Sequence, residues 1–229
     1  MLDQSLIAEL NKARENRQAA ILVRDLADGS GRLVRRETLA SDDPLYDAMQ
    51  KRFLNGKSGI ETVGEQEFFL NVEVPAPRII IIGAVHISQA LVPMVQQCGF
   101  DLTIIDPRTA FATQERFQGV TLQAEWPEDI WSDGMVDAYT AMVVITHDPK
   151  IDDFPLIKAL QANCFYIGAL GSRKTHARRL ERLKEAGITD AQIARVDAPI
   201  GLDIGAVSPA EIAVAILGQI INSLRQGRT

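Results

Sequence analysis

A chain of 229 residues with 46% hydrophobic composition can bury a full core, and its length suits one large domain or two. Its net charge of −6 argues against a nucleic-acid groove as the main purpose, because phosphate contacts need clustered cations. Two cysteines, Cys98 and Cys164, are too few for a disulfide framework; with no cationic, apolar leader and no run of roughly 18 apolar residues, a cytoplasmic protein is expected.

Leu2, Leu6, Ile7 and Leu10 lie on one helical stripe, which predicts a short amphipathic helix over residues 3–16. A strand at 19–24 follows. The turn from Ala27 to Gly31 is rich in residues that tolerate positive φ, and Leu33 with Val34 resumes an extended pattern, so a hairpin is expected. Asp43 reads as the cap of a helix beginning at Pro44, with Leu45, Met49, Phe53 and Leu54 as its apolar side and Asn55-Gly56 as its stop. Strands at 59–63 and 66–74 complete a small α+β domain over residues 1–74. Pro75-Ala76-Pro77 cannot continue a central strand and places the boundary there.

From residue 77 to 229 strands and helices alternate, the signature of a doubly wound parallel sheet, so the fold class is α/β and Rossmann-like. Arg78 is followed by four isoleucines and Gly83, as in a central strand buried on both faces and stopped by a turn. Leu91, Val92 and Val95 recur at helical spacing up to Gly99, Leu102–Ile105 forms the next strand, and Asp106 stands at its carboxyl end. Asp106 stands 23 positions after Gly83, near the roughly 20 that separate a glycine turn from a ribose-binding acid. Further strands are expected at 120–123, 141–145 and 164–167, and Trp126, Pro127 and Trp131 suggest a loop with one helical turn. Ser208, Pro209 and Glu211 form a capping box for a last helix that is apolar nearly all round and should be buried on the sheet or in a subunit contact.

Ligands of open α/β sheets bind beyond the carboxyl ends of the strands, where strand order reverses. With order 3-2-1-4-5, that rim gathers the loop Gly83, Val85 and His86, the loop Thr146, His147 and Asp148, and the loop from Gly168 through Gly171 and Ser172 to Arg173 and Lys174. His176 joins them. In the pattern G-x-G-x-x-G only Gly83 survives, and β-branched Val85 replaces the glycine that would admit a pyrophosphate, so ordinary nicotinamide binding is not inferred. Ser172 is expected to cap a helix whose first amides, with Gly168 and Gly171, face an anion, and Arg173 and Lys174 would add charge. Arg178, Arg179 and Arg182 read as a solvated face opposite Ala177, Leu180 and Leu183. Asp203 reads as a buried acid that bonds backbone amides or contacts a ligand. A metal site from His86, His147 and Asp148 lacks any supporting ligand spacing, and no Ser-His-Asp order, nucleophile elbow or P-loop appears, so neither metal nor catalytic residues are assigned.

The segments RIIIIGAVHISQAL, TIIDPR, VVITHDPKIDD, YIGALGSRKTHARRL and APIGLDIGAVSPAEIAVAIL together resemble the C-terminal Rossmann domain of the xanthine dehydrogenase accessory family, the XdhC/CoxI proteins, over residues 77–227. The resemblance implies a maturation factor more than an enzyme. Such proteins bind the molybdenum cofactor, protect it during sulfuration and deliver it to xanthine dehydrogenase-like or carbon monoxide dehydrogenase-like molybdoenzymes. Its implied partners are that client and a sulfur donor such as a cysteine desulfurase, with homodimerisation open. The phosphate of the pterin fits the helix start at Gly171 and Ser172. Two departures stand out: GAVHIS replaces the family's GAGHVA, and the shortened N-terminal domain lacks the family's cysteine motifs, since no cysteine precedes Cys98. Both cysteines read as small buried hydrophobes. The alternative from another class is an NAD(P)-dependent oxidoreductase or redox sensor, with Asp106 on a ribose hydroxyl and Arg108 near a 2′-phosphate. A third reading is a paralogue that has lost its ligand and only bridges subunits.

Overall fold

The computed structural model describes residues 4–226. It divides into two compact units, Met1–Pro75 and Ala76–Thr229.

The first unit holds α1 (Gln4–Glu15), β1 (Ala20–Asp25), β2 (Gly31–Arg35), α2 (Tyr46–Asn55), β3 (Gly59–Val63) and β4 (Gln66–Glu73), with a short 3-10 turn at Arg36–Thr38. Its four strands form an antiparallel sheet of order β2-β1-β4-β3, in which Ile21 faces Val34 on one side and Val72 on the other. Leu10 and Ala13 of α1 pack with Ala20, whereas Ile7 of the predicted stripe is exposed and Leu2 lies outside the described residues. Helix α2 begins two residues later than expected. Asp43 accepts the amide of Leu45 at 2.9 Å, closing a turn around Pro44 that delays the first helical residue to Tyr46.

The second unit runs β5 (Arg78–Ile82), α3 (His86–Gln97), β6 (Asp101–Ile105), β7 (Thr121–Gln123), α4 (Pro127–Ile130), β8 (Thr140–Val144), α5 (Pro149–Gln161), β9 (Tyr166–Ala169), α6 (Arg173–Glu185), α7 (Asp190–Ile193) and α8 (Pro209–Gln226). The five strands are parallel in the order β7-β6-β5-β8-β9, the expected 3-2-1-4-5. Alternation along β5 separates two cores. Ile79 and Ile81 join Leu91 and Val95 of α3 and Ile216 and Ile220 of α8 on one face, while Ile80 and Ile82 join Leu156 and Leu160 of α5 and Leu183 of α6 on the other. Each fully buried isoleucine stabilises the fold by about 2 kcal/mol, so this four-residue run fixes β5 as the sheet's centre.

Helix α8 carries the predicted capping box: Glu211 accepts the amide of Ser208 at 2.9 Å, and Ser208 accepts that of Glu211 at 3.3 Å. It packs on α3 and β9 and leaves Val214 exposed, so it is buried on one side only. Gln219 of α8 accepts from the Tyr166 hydroxyl and from the amide of Gly201, both at 2.7 Å, which ties the loop after residue 198 to β9. Strand β9 lies two residues beyond the predicted 164–167. Among the described residues no helix is long and apolar enough to cross a membrane.

Candidate functional site

The carboxyl ends of β5, β8 and β9 open onto one rim, and the first of their turns is already full. Gly83 has φ of +125°, and a Cβ there would stand 3.1 Å from Thr146 Cγ2, so only glycine fits. The amide of Ala84 donates to Asp106 Oδ2 at 2.7 Å and that of Val85 to Ser88 Oγ at 2.8 Å. The Ser88 hydroxyl lies within 2.8 Å of the Gly83 carbonyl, and Arg116 donates to the carbonyl of Ala84 at 3.1 Å. The amides of Ala84 and Val85, which lie in the glycine-turn region where a dinucleotide fold approaches pyrophosphate, are thus spent on the protein itself.

Asp106 is equally committed. It is fully buried, its Oδ1 accepts from the amide and Nε of Arg108 at 3.0 and 2.8 Å, and its Oδ2 accepts from Arg108 Nη2 at 2.7 Å as well as from Ala84. Burial alone would raise its pKa, but the Arg108 side chain and these amides hold it below the ordinary carboxylate value. Arg108, its own pKa raised by the Asp106 hydrogen bond, also lies over the ring of Phe111 at 4.8 Å. A ribose hydroxyl would have to displace this clamp.

The second loop orders the start of α5. Thr146 Oγ1 accepts the amide of Asp148 at 3.0 Å and donates to Asp152 Oδ1. Asp148 caps the helix by accepting the amide of Lys150 at 3.0 Å, ahead of Pro149 at the first position. Asp152 is 1% exposed, and burial pushes its pKa up to about 6 against the Thr146 hydrogen bond and the charge of Arg179. His147 is exposed with φ of +66°, and His86 is exposed on the first turn of α3.

The third loop has the geometry of an anion cradle. Gly171 has φ of +145°, and a Cβ on it would meet Thr175 at 3.3 Å. Ser172 caps α6 by accepting the amide of Thr175 at 3.2 Å. The first amides of a helix have no intrahelical acceptor, so those of Arg173 and Lys174 face outward at the positive end of the helix dipole. The side chains of Ser172, Arg173 and Lys174 are exposed around them.

Five expectations need correction. Gly168 does not belong to this loop: it lies inside β9, where a Cβ would stand 2.5 Å from Ile200, so its lack of a side chain serves packing. Asp203 is exposed, beyond the part of its loop where Ala198 and Ile200 pack on the cores. Cys98, read as a buried hydrophobe, is exposed at the end of α3, whereas Cys164 is buried as expected ahead of β9, its thiol pKa pushed up to about 12 by burial; both lie at the edge of the sheet opposite the rim. Arg179, read as solvated, is 2% exposed. It turns under the Gly171 loop and donates to the carbonyl of Leu170 at 3.0 Å. Arg182 is partly buried too, paired with Asp153. Sequence reasoning also missed Asp152; its signal was the Asp152-Asp153 doublet in the first turn of a helix that packs beside an arginine-rich one.

Residues 79–220 match the family model for the XdhC Rossmann domain. The chain belongs to the XdhC family. It is 29% identical to the E. coli K12 protein YqeB, covering 89% of this chain and 40% of that protein. It is 31% identical to a protein of Bacillus subtilis named as a probable xanthine dehydrogenase subunit, with 66% and 44% covered, and 27% identical to the E. coli K12 molybdenum cofactor insertion chaperone PaoD, with 64% and 40% covered. The chain thus spans 40–44% of the length of these XdhC relatives. A solved structure described as a xanthine dehydrogenase from Bacillus halodurans shares the fold, with TM-score 0.60 and 22% identity over 99% of this chain and 64% of the other.

Proposed function

We propose that this XdhC chain is an accessory factor in molybdoenzyme maturation, binding the molybdenum cofactor by its phosphate and passing it to a xanthine dehydrogenase-like client. The observation that carries this reading is the contrast between two turns at one rim. The amides of Ala84 and Val85 are consumed by Asp106 and Ser88, whereas the start of α6 presents the amides of Arg173 and Lys174 together with two cationic side chains. A ligand with one terminal phosphate suits that arrangement better than a dinucleotide, whose pyrophosphate belongs at the first turn. The names of the relatives, one a cofactor insertion chaperone and one a probable xanthine dehydrogenase subunit, support the same reading.

The residues of this chain address the phosphate end of the cofactor, which brings the molybdenum that a client uses for its chemistry. Ser172, Arg173 and Lys174 would hold and orient the phosphate. Neither cysteine reaches the rim, so neither takes up the thiol role that the family resemblance implies. A cytoplasmic setting, where the cofactor and its clients are assembled, completes the proposal.

The test is thermal stability of the purified protein against anaerobic, freshly released molybdenum cofactor and, separately, NAD and NADP, since a ligand that prefers the folded state raises stability by mass action. A shift with the pterin alone is expected, and Gly171→Val should abolish it, because valine is strained at this backbone angle and crowds Thr175. A shift with a dinucleotide alone overturns the reading.

A further inference from the structure

Among the described residues, four buried side-chain polar atoms have no hydrogen-bond partner, and all four belong to Asp152, His176 and Arg179. Arg179 stands about two turns into α6, and helical side chains lean toward the N-terminus, so its guanidinium returns to the start of the helix. There Nη2 donates to the Leu170 carbonyl at 3.0 Å, while Nε and Nη1 find no acceptor among the described residues. Nη1 lies 3.9 Å from the point where a Cβ on Gly171 would stand, so a single glycine separates the guanidinium from the cradle. Its nearest carboxylate oxygen, Asp152 Oδ2, is 3.9 Å from Nη2, too far for a hydrogen bond, and the other oxygen of Asp152 is taken by Thr146.

A buried guanidinium with two idle donors and an imperfect counter-ion is costly, and such orphaned groups mark a missing partner. Anchoring Leu170 needs only one N–H. Arg182, on the same helix, shows the ordinary alternative of a paired arginine, with Asp153.

We propose that Arg179 is the buried charge of a tetrahedral-dianion site at the start of α6. The anion rests on the amides of Arg173 and Lys174, and Arg179 supports it from beneath Gly171. Asp152 is the counter-ion of Arg179 while the site is empty. The inference rests on the phosphate-binding reading above and adds the residue that supplies its charge. It also explains Gly171, since any side chain there would thicken the layer between guanidinium and anion.

Inorganic sulfate is the probe, because it is a tetrahedral dianion whose charge does not change near neutral pH. Sulfate affinity is measured by calorimetry on the full chain at constant ionic strength, for wild type, Arg179→Met and Asp152→Asn, with circular dichroism as the check on folding. Arg179→Met should bind about tenfold more weakly. Asp152→Asn should bind about threefold more tightly, because the guanidinium is no longer neutralised. Loss of the Asp152 charge favours any nearby anion, so the tightening must also disappear when Asp152→Asn is made in the Arg179→Met background; equal tightening in both backgrounds means a merely structural arginine. Should Arg179→Met fail to fold, Asp152→Asn carries the test, and unchanged or weakened binding in it overturns the proposal. If the wild type binds no sulfate, the phosphate-site reading falls as well; if it binds and both variants bind equally, only the role of Arg179 falls.

Discussion

Asp106 and Asp152 are buried carboxylates at the same rim, yet their protons are held in opposite senses. Asp106 is depressed by Arg108 and two amides, so it contributes stability above its unfolded pKa, and that contribution is lost as pH falls through the still lower folded value. Asp106→Asn should therefore cost about 3 kcal/mol at pH 7 by urea denaturation, while leaving the shift with molybdenum cofactor in place; a variant that lost ligand binding but kept stability would contradict the clamp. Asp152, raised to about 6, works the other way. Its folded state holds the proton more tightly than the unfolded chain, so stability rises as pH falls through 6 toward the unfolded value, by up to about 3 kcal/mol. Asp152→Asn should accordingly match or exceed wild-type stability at pH 8 and lose that advantage near pH 4, and a difference independent of pH would refute it. Asp106 was legible from its distance to Gly83. Arg179 was not, because hydropathy cannot say which of two adjacent arginines turns inward; its one signal is the i, i+4 spacing to buried Leu183, which puts it on the packed side of α6.

The turn between β5 and α3 shows how far a motif can be read without its hydrogen bonds. Val85 alone was taken to keep a pyrophosphate away, on steric grounds. The structure adds that Ala84 and Val85 have no amide to offer even if the side chain were removed. Val85→Gly should therefore fail to create NAD binding, with no thermal shift at millimolar dinucleotide, whereas a shift would mean that the Asp106 and Ser88 contacts yield easily. The five parallel strands were legible because a strand buried on both faces is a continuous apolar run bounded by turn residues. Residues 124–140 were less legible, because α4 is a single turn with no period to detect; Trp126, Pro127 and Trp131 still marked the one helical turn that forms there. Capping was readable at Ser172 and Ser208 but not at Asp43, whose side chain closes a turn instead. Glu211→Ala, which removes the acceptor for the amides of Val207 and Ser208, should lower the midpoint of thermal unfolding slightly but measurably without touching the rim.

The Rossmann-like unit carries everything the site needs. Both faces of its parallel sheet are covered from within, by α3 and α8 on one side and by α5, α6 and α7 on the other. The rim residues, from Gly83 through Asp152 to Arg179, all come from the same unit, and so do their hydrogen-bond partners. Domain formation requires a self-contained core, and two apolar layers on a five-stranded sheet meet that requirement without help. Residues 76–229 expressed alone should therefore unfold in one cooperative transition, keep a near-ultraviolet dichroism signal and bind sulfate with the affinity of the full chain. A molten fragment would show that the fold depends on the first unit. A folded fragment without sulfate affinity would show that the anion site does.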